Sequence, residues 1–257
     1  MDLSFTVERL EVFLLIFVRI SSFIVSAPFF SLSHVPRKVK AALAFYLALL
    51  IYPAIGISEL EYNGMIELAM LIFKEAAAGL LLGMITNMCL YILNFAGNVM
   101  DMEIGFSMVT EFDPSSNINS TITATVYSTG VNLIMLVTYM HHYIIRAFLD
   151  TFEMIPVGAV HLRPDSYKIM AVFIVDYFVV GFRIILPIFA AMLILNVVLG
   201  VLAKVAPQMN MFSVGMQLKV AGGIIILGIV IGLLPQVTEL IYEEMQKIYR
   251  LMMLSLR

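Results

Sequence analysis

Six stretches of this chain are apolar enough, and long enough, to be helices that cross a bilayer. That pattern limits the fold before any single residue is weighed. A bilayer core takes about 20 consecutive, mostly apolar helical residues. Such stretches fall at about residues 10–30, 39–57, 65–93, 125–149, 169–202 and 214–234. Of the 257 residues, 61% are hydrophobic and 13% are charged, whereas a soluble domain carries about 25% charge. Lipid or other apolar chains must therefore cover much of the surface. The expectation is an all-α, membrane-associated fold of about six long apolar helices, some kinked or broken, in a single domain over residues 1–257. Pro187 in the fifth stretch lacks a backbone donor and favours a kink. Asp2, Glu8 and Arg9 do not read as the basic start of a cleavable signal, so the first stretch is expected to stay in the protein.

The connections differ in character. Residues 31–40 are basic, with Arg37, Lys38 and Lys40, and residues 58–64 are acidic. Residues 95–124 read as a long polar loop without Lys or Arg that holds Asp101, Glu103, Glu111 and Asp113. Its run Asp113-Pro114-Ser115-Ser116-Asn117 is turn chemistry, because Pro fixes φ and the others bond locally to the backbone. A loop this long in a compact protein is either functional or disordered. With six crossings, Lys and Arg fall slightly more often on the side of the termini, which favours a cytoplasmic location for both.

Ionisable residues inside apolar stretches are the first candidates for chemistry: Arg19, Lys74, Glu75, Asp176 and Arg183. Asp176 and Arg183 lie seven residues apart, on one helix face. An ion or proton path is the sharper reading. Contact with a neighbouring subunit, water or the interface is the plainer and preferred one. Of the histidines, His34 and His161 stand alone, and the adjacent His141 and His142 point about 100° apart on a helix, with nothing nearby to complete a metal set. Cys89 is the only cysteine and has no His in its stretch. No nucleotide-binding, hydrolase or metalloprotease motif is present, so neither an enzyme activity nor a cofactor is expected. A net charge of −3 argues against nucleic acid. Gly79 and Gly83, like Gly228 and Gly232, are spaced for close helix packing. In the long loop, Met100, Met102, Phe106, Met108 and Phe112 read either as ordinary packing or as a deformable apolar seal.

Three stretches together resemble one family. The first is Arg19-Ile-Ser-Ser-Phe through Ala27-Pro28-Phe29-Phe30 and Val35-Pro36-Arg37-Lys38. The second is Gly105-Phe106 through Asp113-Pro114, then His141-His142 and Ile155-Pro156-Val157-Gly158. The third, the most specific, is Val205-Ala206-Pro207-Gln208-Met209-Asn210-Met211-Phe212. With these the chain is similar to the FliR family of flagellar export-apparatus proteins and its counterparts in virulence type III secretion. It departs from the family pattern at Lys204, Gln217 and Met140, and Lys in place of Arg keeps the charge but loses the bidentate fork.

The resemblance implies a core component of a protein export gate in the bacterial inner membrane, at the flagellar basal body and raised toward the periplasm. It implies FliP, FliQ, FlhB and FlhA-like partners, unfolded export substrates and contact with membrane lipid. It also implies that residues 105–119 are a plug: Gly105, Phe106, Ser107, Met108 and Val109, then Thr110, Glu111, Phe112, Asp113 and Pro114. Subunit packing is expected of Pro36, Arg37, Gly79 and Gly83, and of Pro207, Gln208, Asn210 and Phe212. The rival readings are a small-molecule or ion transporter, a membrane-embedded enzyme and a passive scaffold.

Overall fold

Helix α1 (Leu3–Ser26) buries Val12, Leu15, Ile16, Ile20, Phe23 and Ile24. Spacings of three and four residues put these on one stripe, the pattern of a helix with a single face inside. In the computed structural model, residues 3–28, 30, 35–55, 60, 62, 64–106, 110–113, 118–161, 166–206, 208 and 211–257 are described. Helix α2 (Arg37–Ile55) follows, then the 40-residue α3 (Met65–Ile104). Strands β1 (Thr110–Asp113) and β2 (Ile118–Thr121) form an antiparallel hairpin that leads directly into α4 (Ile122–Val137). Helices α5 (Met140–Met154), α6 (Ser166–Val205) and α7 (Met211–Val230) come next. One turn of 3-10 helix, Ile231–Leu233, joins α7 to α8 (Leu234–Leu256). The fold is that of an all-α membrane protein, with the hairpin as its departure from helix.

The chain packs as two compact units. The first gathers Met1–Cys89, Tyr139–Ile174 and Glu244–Arg257; the second gathers Leu90–Thr138 and Val175–Glu243. In the first, Phe13 of α1 meets Phe45 and Tyr52 of α2 edge-on, with ring centroids 5.6 and 5.9 Å apart. Phe23 stacks on Phe148 of α5 at 3.9 Å. The C-terminal part of α8 presents Met245, Ile248, Met252 and Leu256 on its buried stripe, and the Leu256 carbonyl accepts the His161 amide at 3.1 Å. In the second unit, Phe95 of α3 lies between Phe178 and Phe182 of α6, with centroids 5.3 and 5.9 Å away. Gly181 sits beside that ring, where a Cβ would fall 2.6 Å from Phe95.

Several sequence expectations change. Among the described residues, four helical stretches are long and apolar enough to cross a membrane: Arg37–Ile55, Met65–Ile104, Tyr167–Val205 and Val214–Leu256. Helix α1 is not among them, since Arg9, Glu11 and Arg19 interrupt it. The expected fourth stretch breaks into α4 and α5, bent by 74°, which makes a fifth crossing only if the pair counts as one. At the break Tyr139 takes a left-handed conformation with φ 59°, and the Thr138 hydroxyl donates to the Ile134 carbonyl at 2.7 Å. Four or five such stretches stand where six were expected, and the charge count for the termini was made on six. Helix α6 continues through Pro187. The third stretch runs on to Ile104, because Ala96, Met100 and Ile104 extend its buried stripe. Met100, Asp101, Met102 and Glu103 are therefore helical, and Met100 is buried packing rather than part of a loop seal.

Candidate functional site

The hairpin stands at the place where the sequence put its long loop. Thr110 pairs with Thr121 at its base and Asp113 with Ile118 at its far end. Residues 114–117 connect the strands with Pro114-Ser115-Ser116-Asn117. Of the expected plug residues, Gly105 and Phe106 are described, and Thr110, Glu111, Phe112 and Asp113 form the backbone of β1. Ser107, Met108, Val109 and Pro114 lie outside the described residues.

The described contacts gather at the base of the hairpin. Gly105 closes the last turn of α3, donating its amide to the Asp101 carbonyl at 2.9 Å, and then turns with φ +99°. That region strains residues with a Cβ, so glycine fits here. On the other leg, Thr121 occupies the N-cap of α4 with extended backbone (φ −90°, ψ 168°), but its side chain makes no capping bond. The cap comes instead from Asp101 of α3. Asp101 Oδ2 accepts the Thr123 amide at 2.9 Å, and Oδ1 accepts from the Thr123 hydroxyl. Asp101 and Thr123 are fully buried. A carboxylate receiving two donors at a helix N-terminus is well placed, because the orphan amides and the helix dipole both favour negative charge there.

Close packing supports the clamp. A Cβ on Gly97 would lie 2.3 Å from the Ala124 Cα, so α3 and α4 touch backbone to backbone just below the hairpin. Seven residues further along α3, Ile104 fills the space over Gly223 of α7, where a Cβ would fall 2.4 Å away. Gly97, Thr121 and Thr123 were not singled out in the sequence, and Asp101 was read as a loop acid. Their signal was faint: Asp101 and Thr123 face each other across 22 positions and the turn chemistry between them.

The first unit holds a second polar cluster. Arg19 of α1 and Glu75 of α3 form a buried bidentate ion pair, with Nε donating to Oε2 and Nη2 to Oε1 at 2.9 Å. Arg19 Nη1 also donates to the Ile155 carbonyl at 2.9 Å, and the Gly158 amide donates to Glu75 Oε1 at 2.8 Å. The guanidinium lies 4.5 Å over the Phe152 ring. For these two residues the plainer expectation of contact with another subunit, water or the interface gives way to a pair within the chain. Lys74 and Asp176 are half-buried and Arg183 is exposed on α6.

The packing residues divide. Gly79 and Gly83 press against α1 within the chain; their Cβ atoms would fall 2.2 Å from the Arg19 carbonyl oxygen and 2.1 Å from Ser26 Oγ. Their expected role between subunits is thus taken by α1. Around Gly228 and Gly232 there is open space. Pro36 precedes α2 and accepts the Val39 amide at 2.9 Å, and Arg37 opens that helix, exposed. Gln208 is exposed between α6 and α7, and Phe212 lies in the first turn of α7. Pro207 and Asn210 lie outside the described residues, as does His34. His141 and His142, expected to diverge, bring their rings within 4.2 Å beside Tyr139. Among the described residues no three of His, Cys, Asp and Glu converge to hold a metal ion.

Against known proteins, residues 10–245 match the family described as "Bacterial export proteins, family 1". The chain is 31% identical to the flagellar biosynthetic protein FliR of Bacillus subtilis over 86% of each chain. It is 30% identical to the FliR of Aquifex aeolicus over 88% of each. With the FliR of Escherichia coli it shares 26% identity over 88% of this chain and 87% of that one.

Proposed function

The chain belongs to family 1 of the bacterial export proteins, the family of the flagellar biosynthetic protein FliR, and from that membership we propose that it is an inner-membrane component of the flagellar protein export gate. It forms part of a protein-conducting channel, and residues 105–119, which include most of the hairpin, are the plug that closes the channel at rest.

The observation that carries this reading is the construction of the hairpin. It is a short two-stranded hairpin between α3 and α4, and Asp101, Gly105 and Thr123 make hydrogen bonds at its base. A segment of low local stability on a rigid support is what a moving part requires. Such a gate must stay tight to ions yet yield to an unfolded chain. The exposed apolar faces of α6 and α7, including Val197, Val201, Ile225 and Ile229, suit partner helices as well as lipid. FliP, FliQ, FlhB and FlhA-like subunits are the partners that membership of this family implies, and the periplasm is the side toward which the assembly is raised.

Deletion of residues 105–119 tests the plug. The gate is expected to assemble and the inner membrane to leak small ions. A membrane that stays tight with the variant gate assembled would sink the reading, and transport by the purified chain without partners would favour an ion or solute transporter.

A further inference from the structure

The N-terminus of α4 has two possible caps, and only one is in use. Thr121 has N-cap backbone geometry, and its hydroxyl is buried without a hydrogen-bond partner among the described residues. An N-cap threonine ordinarily accepts the amide two or three residues on. Here the amide two residues on belongs to Thr123, and Asp101 of α3 already holds it. A buried hydroxyl left unpartnered is uncommon and unfavourable. A threonine hydroxyl is repositioned by rotation about χ1 alone.

We propose that Asp101 and Thr121 are alternative caps of α4, exchanged when the hairpin base opens. With the base shut, Asp101 holds the Thr123 amide and ties the end of α3 to the start of α4. When a passing chain parts the two helix ends, Asp101 withdraws and its carboxylate is hydrated in the opened base. Thr121 then takes the vacated amide, so α4 keeps its first turn while the hairpin moves. Without the spare cap, opening would leave that amide bare as well as breaking the Asp101 bond. Gly105 supplies the matching freedom on the other leg through its positive φ. The device rests on the plug reading above, since it describes what fastens and frees that plug.

Two isosteric substitutions in the assembled gate test it, read by resting ion leak across the inner membrane and by the rate at which flagellar filament protein appears outside the cell. Thr121→Val removes a hydroxyl that has no hydrogen-bond partner among the described residues of the closed state. A purely structural role predicts unchanged export. The exchange predicts an unchanged resting leak and export slowed about five-fold, the size of one helix cap. Asp101→Leu leaves Thr121 as the only cap and is expected to raise the resting leak. Asp101→Asn still offers an acceptor to the Thr123 amide and is expected to stay tight, which separates loss of the bond from misfolding.

Wild-type export with Thr121→Val overturns the exchange. So does a resting leak equally high with Asp101→Asn and Asp101→Leu. If the hairpin deletion leaks while Thr121→Val exports normally, the exchange alone fails. If the deletion stays tight, the plug reading fails, whatever Thr121→Val does.

Discussion

The Arg19 guanidinium and the Glu75 carboxylate face each other across 56 positions of sequence, each side chain 1% exposed. Their side chains also bond to the 155–158 backbone, and the guanidinium lies over the Phe152 ring. The pair therefore ties α1, α3 and the segment after α5 to one point. Breaking a buried pair by removing one partner leaves the other charged and unmatched, at a cost of about 3–5 kcal/mol. Glu75→Ala is expected to lower the thermal midpoint of the detergent-purified chain steeply. The double variant Arg19→Met with Glu75→Leu should recover most of the loss, since apolar replacement of a whole buried pair is often neutral. If Glu75→Ala alone melts like the wild type, the pair is not holding this unit together.

Gly79 and Gly228 carry the same sequence signal and should respond in opposite ways. A Cβ at Gly79 meets the Arg19 carbonyl oxygen at 2.2 Å, so Gly79→Ala must push α1 away, at a cost of about 1–3 kcal/mol. At Gly228 nothing lies within 4 Å, and alanine in a helix gains up to about 1 kcal/mol over glycine. Thermal unfolding of the isolated chain should separate them. Loss of co-purifying partner subunits with Gly228→Leu, in a chain that still folds, would place that face at a subunit contact.

Gly105→Val puts a β-branched residue at φ +99° and should cost about 1–2 kcal/mol, with Gly105→Asn milder. Hydrogen exchange at the β1 amides, Thr110–Asp113, is the measurement. Exchange there no faster than in the wild type would show that the turn at 105 does not set the hairpin's stability.

Tyr139 strains the α4–α5 break in the same way. Tyr139→Gly relieves a left-handed residue and should leave the thermal midpoint equal or higher, although the stacking on His142 at 5.6 Å is lost. Tyr139→Val should lower the midpoint. A midpoint that falls further with glycine than with valine would mean the aromatic contact matters more than the backbone.

Most helix positions were legible from apolar runs, but α8 (Leu234–Leu256) lay outside the six expected stretches, because Glu239, Glu243, Glu244, Lys247 and Arg250 break its apolar run although one stripe is buried. The exceptions have physical causes. Asp101 and Gly97 look like loop residues, yet a carboxylate is at home in a buried helix when two donors meet it, and a glycine is at home where a neighbouring backbone arrives at contact distance. The break at Tyr139 carries no glycine or proline to announce it. Arg19 and Glu75 were visible as misplaced charges, but nothing local says they pair with each other, since the partner choice is made by tertiary packing. The place of the hairpin was legible from its turn residues; the contact at its base was not, because it joins residues far apart in sequence and common on any helix.

The first unit is assembled from Met1–Cys89, Tyr139–Ile174 and Glu244–Arg257. A ribosome therefore delivers its parts far apart in time. At about 5–20 residues per second, the 154 positions between Cys89 and Glu244 occupy roughly 10–30 s. Throughout that interval α1, α2 and the first part of α3 wait without the stripe of Met245, Ile248, Met252 and Leu256 that completes their core. Until it arrives they depend on lipid or another protein to shield them, and so the core of this unit closes late in synthesis.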